Sequence, residues 1–365
     1  MIKNLSILPL LVLIILLNGC KSEDITPKFI ANSQVIIDKA NSIDFVQRNI
    51  NNEGSITIVG KSDKSFQSAK IKFNSSLGGV STDWLTLAID PITKEFKGKF
   101  TLKAGGYYPQ IQLFNDNKVY TDTLLTWNVK VGEVFAVIGH SLAEGQKPYT
   151  IENYDPTWCD VVIWEFDGAI NNYWGRLAEK LKVKLNVPIR IYNTGIGGSS
   201  SEIWGLSAYG LPFQHPFFDW KKRHPYSFFE QRVNNDFIKT GLRAVFVQHG
   251  ENDRSLGENL ILESTQSYIK KTRDLLNSSF LTFIISKNNL NGSTQDKLNV
   301  KTAQERMLIE IKFTFKGPNL ESISGEKYKW DGLHFNSAGL EQAAILWNES
   351  LPLSFFTQTT PYTPK

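Results

Sequence analysis

The pattern of apolar residues changes character once along this chain, near Gly132, and that change limits the folds open to it. Before it, from about residue 31, runs such as Ser55–Val59, Ala69–Phe73, Phe96–Phe100, Tyr108–Phe114 and Tyr120–Val131 tend to place apolar residues at every second position, the period of a strand with one buried face. Gly, Asn, Asp and Pro separate these runs, and no useful stretch of helical period intervenes. Residues 31–130 therefore read as a small β-sandwich. Beyond Gly132, Val134–Ile138 is apolar at every position, as a parallel strand covered on both faces requires.

Amphipathic stretches then alternate with short apolar runs. Helices are predicted at Tyr173–Leu185, Phe228–Lys239, Glu263–Leu276, Val300–Lys312 and Ser337–Leu351, and strands at Pro188–Tyr192, Ala244–Gln248 and Phe280–Ile285. Such alternation specifies an α/β domain with a mainly parallel sheet over residues 131–352, its ligands lying beyond the carboxyl ends of the strands. Residues 353–365 are expected to form a poorly ordered tail. Two domains suit 365 residues, and 41% hydrophobic with 21% charged residues is the composition of a folded protein. A formal charge of +4, with lysines scattered among acids, supplies no basic stripe and argues against a nucleic-acid partner.

The first twenty residues differ from the rest. Lys3 precedes an apolar run, Leu5–Leu17, broken by Ser6 and Pro9 and followed by Asn18-Gly19-Cys20. The run is too short to span a membrane and has the flanks of an export signal. Its ending resembles the bacterial lipoprotein signal, which implies a lipid on Cys20 and residues 21–30 as a polar tether. The protein is then an outer-membrane lipoprotein, periplasmic or cell-surface, touching the membrane through that lipid alone; plain secretion is the alternative. Cys159 is left with no cysteine partner, and beside Trp158 it reads as a buried small hydrophobe.

Four segments carry chemistry. Gly139-His140-Ser141-Leu142-Ala143 follows a predicted strand, and a serine on a tight strand-to-helix turn exposes its hydroxyl next to backbone N–H groups. An ordinary helix cap explains the same serine equally well. Asn193-Thr194-Gly195-Ile196-Gly197-Gly198-Ser199-Ser200 is a glycine loop whose backbone can approach a ligand closely; it lacks the lysine of a phosphate-binding loop. In Gln248-His249-Gly250-Glu251-Asn252-Asp253, the Asn252 amide can donate to a tetrahedral intermediate. Asp253 reads as a brace, and Glu251 as a structural acceptor or a substrate contact. Finally, Asp331-Gly332-Leu333-His334 can set a carboxylate against one imidazole nitrogen while the other faces the serine. No His/Asp/Glu cluster has metal-ligand spacing.

Together and in this order, the four segments resemble the conserved blocks of the SGNH/GDSL hydrolase superfamily. Val131-Gly132-Glu133-Val134-Phe135 and the glycine-serine block followed by Glu202-Ile203-Trp204 are similar to its sialate O-acetylesterase-like branch, whose members remove acetyl groups from sugars. The branch usually has Gln-Ser-Asn where this chain has His140-Ser141-Leu142. The resemblance covers about 130–352 and implies a three-layer α/β/α fold. More loosely, residues 31–130 look like the Ig-like sandwich that precedes the hydrolase domain in related bacterial proteins. It further implies Ser141 as nucleophile and Asp331 with His334 completing a triad. The oxyanion donors it implies are the Ser141 N–H, the Gly198 N–H (with Gly197 the alternative) and the Asn252 side chain. No cofactor or metal is required. His140 can reach the ester or serve locally.

The expected substrate is an acetylated glycan, polysaccharide or sialic acid. The insertion from Trp204 to Phe229 is rich in aromatic residues, whose faces suit sugar rings as well as core packing; Trp204 is a candidate contact. A non-catalytic carbohydrate-binding surface lipoprotein is the competing reading.

Overall fold

The computed structural model describes residues 35–63, 65–145, 154–163, 173–288 and 293–364. The export signal, Cys20 and the tether lie outside them. Within them, eight strands come first: β1 (Val35–Ile37), β2 (Phe45–Gln47), β3 (Glu53–Ser62), β4 (Ser68–Gly78), β5 (Leu85–Ile89), β6 (Glu95–Lys103), β7 (Gly105–Asn115) and β8 (Lys118–Leu124). Their main ladders, β3 with β6 and β4 with β7, are antiparallel. Alternation does what the sequence pattern requires: Ile56 and Ile58 of β3, Ala69, Ile71 and Phe73 of β4, and Ile111 and Leu113 of β7 all point into one core.

The strand β9 (Val129–Gly139) is buried along its whole length. Its first half pairs with β7 antiparallel and with β2 in parallel. From Glu133 onward it pairs in parallel with β11 (Ile189–Asn193) on one side and β12 (Ala244–Gln248) on the other. Beyond these lie β10 (Cys159–Ile163), beside β11, and β13 (Thr282–Lys287) and β14 (Thr314–Asn319), beyond β12. The α/β sheet therefore runs β10-β11-β9-β12-β13-β14, all parallel. The β-rich part joins it through β9 in one continuous sheet, so it is not a clearly separate sandwich. The boundary expected at 130/131 falls inside a strand.

Helices cover both faces of the parallel sheet. Trp174–Leu185 and Ser337–Glu349 pack on one side, where Trp174, Phe246 and Trp347 form an aromatic core with ring centroids 4.7–5.9 Å apart. Ser201–Ala208, Glu258–Leu275 and Thr294–Glu310 lie on the other, around Trp204, Tyr268 and Val300. Each such side chain, fully buried, contributes about 1.5–3 kcal/mol over an exposed one.

A buried ion network closes the junction of the two halves. Glu133 on β9 accepts from Arg48 Nε (2.6 Å), Gln47 Nε2 (2.7 Å), Arg243 Nε (2.8 Å) and Arg243 Nη2 (2.9 Å). Arg243 also donates to the Thr359 carbonyl at 2.9 Å. That contact corrects the expectation of a loose C-terminal tail. Leu353–Gln358 is a helix with Phe355 and Phe356 buried, and Tyr362 bridges to Leu242. Arg243 has a carbonyl to bind and the core has room for two phenylalanines, and both hold the segment.

Candidate active site

Three chain segments leave the carboxyl ends of the adjacent strands β11, β9 and β12. This is the point where the parallel sheet's winding reverses, the usual position of a ligand crevice in such sheets. β9 gives way at His140 to the one-turn helix Ser141–Glu144. The His140 Nδ1 caps that turn by accepting from the Leu142 N–H at 3.3 Å, and the Trp174 indole holds the Ala143 carbonyl at 2.7 Å. The turn that carries Ser141 is thus fixed from both ends.

Asp331 and His334 sit in a turn between β14 and the helix Ser337–Glu349. One Asp331 oxygen accepts from the backbone N–H groups of Leu333 (2.9 Å) and His334 (2.6 Å); the other lies 2.6 Å from His334 Nδ1. Gly332, with φ of +81°, lets the chain turn tightly enough for one carboxylate to do both. Partial burial pushes the Asp331 carboxyl up, but the His334 ring and those two N–H groups outweigh it and hold it below its ordinary range. The opposite ring nitrogen, Nε2, lies 3.0 Å from Ser141 Oγ. Trp330 stacks on the imidazole at 6.1 Å between centroids and 25° between planes.

The glycine loop after β11 has almost no spare backbone donors. Thr194 donates to Val137, Gly195 to the Asn193 side chain, Ile196 to Gly139, Gly197 to Glu144 Oε2 at 2.7 Å, and Ser199 to Ile196. The Gly198 N–H is left without an acceptor among the described residues, and so is that of Ser141. Gly198 has φ of +76°, a conformation that an L-residue with a side chain adopts only with strain. Of the two glycines left open by the sequence, Gly197 is already committed.

After β12, Asn252 Nδ2 donates to the Ser199 carbonyl at 3.0 Å, which leaves its second hydrogen. Asp253 is buried, and its Oδ1 takes the Ser201 N–H at 2.7 Å; burial pushes its carboxyl up to about 6. It braces the loop, as its position suggests. Gly250 permits the close passage of this loop: a Cβ there would sit 1.5 Å from the Asn288 carbonyl oxygen.

Three candidate substrate contacts are buried. Trp204 is fully buried and donates to Ser199 Oγ at 2.9 Å, because its large ring fills the core beneath the glycine loop. Glu251 is buried and pairs with Arg254 at 3.2 Å. His140 is fully buried, with Nε2 2.7 Å from the Asn288 carboxamide. All three side chains are engaged by contacts within the protein. The sequence pattern missed Glu144, Trp330 and Asn288; an acidic residue one turn after a candidate nucleophile was the available signal for the first. Cys159 is buried, and burial first, then nearby Glu179, drives its thiol well up.

His140 and His249 are held neutral. Burial, with His334 and Lys329 adding to it, lowers His140 to about 3; burial takes His249 well below its ordinary value. The unfolded chain takes up these protons below about pH 6.5 while the folded chain does not, so this contribution to stability is lost as pH falls from 6.5 toward 3. Urea midpoints between pH 7 and 4 check it. The parent's stability is expected to fall more steeply than that of His140→Asn, and equal slopes would remove His140 as a cause.

An α/β/α layered fold thus brings a hydroxyl, an imidazole and a carboxylate into line, with free N–H donors nearby. No family model matches the chain, and no curated protein matches it. Solved structures with some likeness include a carbohydrate acetylesterase from Xanthomonas citri (15% identity, TM-score 0.49, 84% of this chain and 72% of that one). A family two carbohydrate esterase from Clostridium thermocellum, in complex with cellohexaose, has 13% identity and a TM-score of 0.41 over 88% of this chain and 99% of its own. The M. smegmatis aryl esterase has 12% identity and a TM-score of 0.40 over 60% and 98%. At these scores they place the chain in no family. Among the described residues no group of three His, Cys, Asp or Glu is placed to hold a metal ion, and no helix is long and apolar enough to cross a membrane.

Proposed function

We propose that this chain is a serine ester hydrolase of the SGNH type that removes acetyl groups from a carbohydrate. The observation that carries the reading is the continuous relay Ser141 Oγ–His334 Nε2 (3.0 Å) and His334 Nδ1–Asp331 Oδ2 (2.6 Å). His334 takes the Ser141 proton as the oxygen attacks the ester carbonyl, while Asp331 holds the ring in the required tautomer and stabilises the imidazolium. The Ser141 and Gly198 N–H groups and the Asn252 amide receive the oxyanion. His334 then protonates the departing sugar alcohol, and water activated by the same ring releases acetate from the acyl-enzyme. The lipid on Cys20, an outer-membrane location and the sialate O-acetylesterase-like branch belong to the same proposal and rest on sequence resemblance.

The test is acetate release from acetylated xylan, pectin, mannan and sialic acids, alongside a small ester such as p-nitrophenyl acetate. Activity on the small ester without acetate release from any glycan would keep the hydrolase and discard the carbohydrate. Within this reading, Asn252→Ala is expected to lower kcat by about 10²–10³-fold, the cost of one oxyanion donor, with little change in KM. A variant that raises KM and leaves kcat intact would make Asn252 a ground-state contact instead.

A further inference from the structure

Glu144 lies three residues beyond the nucleophile and has no part in the relay. It nevertheless meets the glycine loop at two points. Its carbonyl accepts from Asn193 Nδ2 at 3.1 Å, and the other end of that side chain accepts the Gly195 N–H, also at 3.1 Å. Its carboxylate accepts the Gly197 N–H at 2.7 Å. The loop's close seat on this turn is visible at Gly195, where a Cβ would stand 2.7 Å from the Glu144 nitrogen. Among the described residues no cation pairs with the carboxylate, and burial pushes it up to about 7 against the pull of the Gly197 bond. An acid kept largely out of water for the sake of one backbone donor needs a reason.

We propose that Glu144 is a positioning residue that sets the register of the oxyanion loop. By engaging the Gly197 N–H it leaves the donor role to its neighbour, Gly198, whose N–H has no acceptor among the described residues. The role rests on the hydrolase reading above. The essential property is an acceptor at Oε2, in contact with the turn that carries Ser141, so that nucleophile and oxyanion donor are placed by the same short helix. Without that acceptor the Gly197 peptide is free to rotate toward the crevice, and the Gly198 N–H loses its fixed direction. A misplacement of about 1 Å in such a site costs on the order of 10²-fold in rate.

The experiment compares Glu144→Ala and Glu144→Gln with the parent, using p-nitrophenyl acetate kinetics, thermal midpoints and inhibition by a phenylboronic acid, which forms a tetrahedral adduct with a serine. Glu144→Ala is expected to lower kcat about 10- to 100-fold with KM little changed, and to weaken the boronic acid by a similar factor. Glu144→Gln, whose carbonyl can still accept from Gly197, is expected to stay within about threefold of the parent on the same reasoning. Full kcat in Glu144→Ala overturns the role, and so does equal damage in the two variants, which would mean that accepting the N–H is not what matters. If the parent hydrolyses no ester at all, the hydrolase reading falls and takes this role with it.

Discussion

Replacing Ser141 by alanine is expected to lower kcat/KM on an acetyl ester by about 10⁵–10⁶-fold, the scale on which a serine hydrolase loses its nucleophile. The size of the effect follows from the lack of a substitute. Ser199 lies in the neighbouring loop, but its hydroxyl donates to the Ile196 and Gly139 carbonyls and receives the Trp204 indole. Ser200 caps the following helix by accepting from Ile203, and Ser201 is fully buried. None can take over the 3.0 Å partnership with His334. The substitution should spare the fold, because among the described residues the hydroxyl bonds only to His334 and alanine suits the first turn of a helix. Initial rates measured beside a thermal melt check this. Residual activity above about 1% in a folded variant would remove Ser141 from the chemistry, since a lost nucleophile leaves far less.

The largest effect on stability is expected at Glu133, far from that chemistry. Glu133→Ala strips the counter-charge from Arg243, which is almost fully buried, and from Arg48 beside it. Breaking a buried pair by removing one partner typically costs about 3–5 kcal/mol, because an uncompensated charge stays inside. Burial pushes the Glu133 carboxyl up, but Arg243, Arg48 and Gln47 outweigh it and hold it below its ordinary range. Its folded value is thus depressed, so the stability it adds is present above the unfolded value near pH 4.5 and is lost as pH falls below it. Urea unfolding should show a wide gap between parent and variant at pH 7 that narrows toward pH 3. A difference under about 1 kcal/mol at pH 7 would show that the network is worth no more than a surface pair.

Much of this was readable from the chain. The predicted strand Ala244–Gln248 has the bounds of β12, and the apolar run Val134–Ile138 is the parallel half of β9, which begins five residues earlier at Val129; burial on both faces dictates such a composition. Asp-Gly-Leu-His is legible for a local reason: the carboxylate closes its own turn and meets the imidazole without help from elsewhere. What escaped depends on distant partners. Tyr120–Val131 reads as one strand, yet β8 ends at Leu124 and β9 begins at Val129, because β8 pairs with β7 along Gln110–Asn115 and β9 with its other end at Gly105–Tyr107. The predicted helix at Phe228–Lys239 contains a wider turn at Val233–Phe237 that no period announces. Trp204 and His140 look like ligand contacts by residue type; only the core shows that one fills the space under the glycine loop and the other caps a turn. The C-terminal helix is held by Arg243, more than a hundred residues earlier.

The unbroken run of β9 from Val129 to Gly139 bears on modularity. Proteins with two halves usually meet at a linker, where each half can be cut free, exchanged or allowed to swing. Here the strand that finishes the β-rich layer is the one that delivers the serine two residues past its end. Trimming away everything before Val129 would strip β9 of β2 and β7 and uncover apolar surface directly behind Ser141. A shortened version should therefore lose solubility and activity together, and grafting the α/β half onto another partner would call for a redesigned β9 rather than a longer hinge.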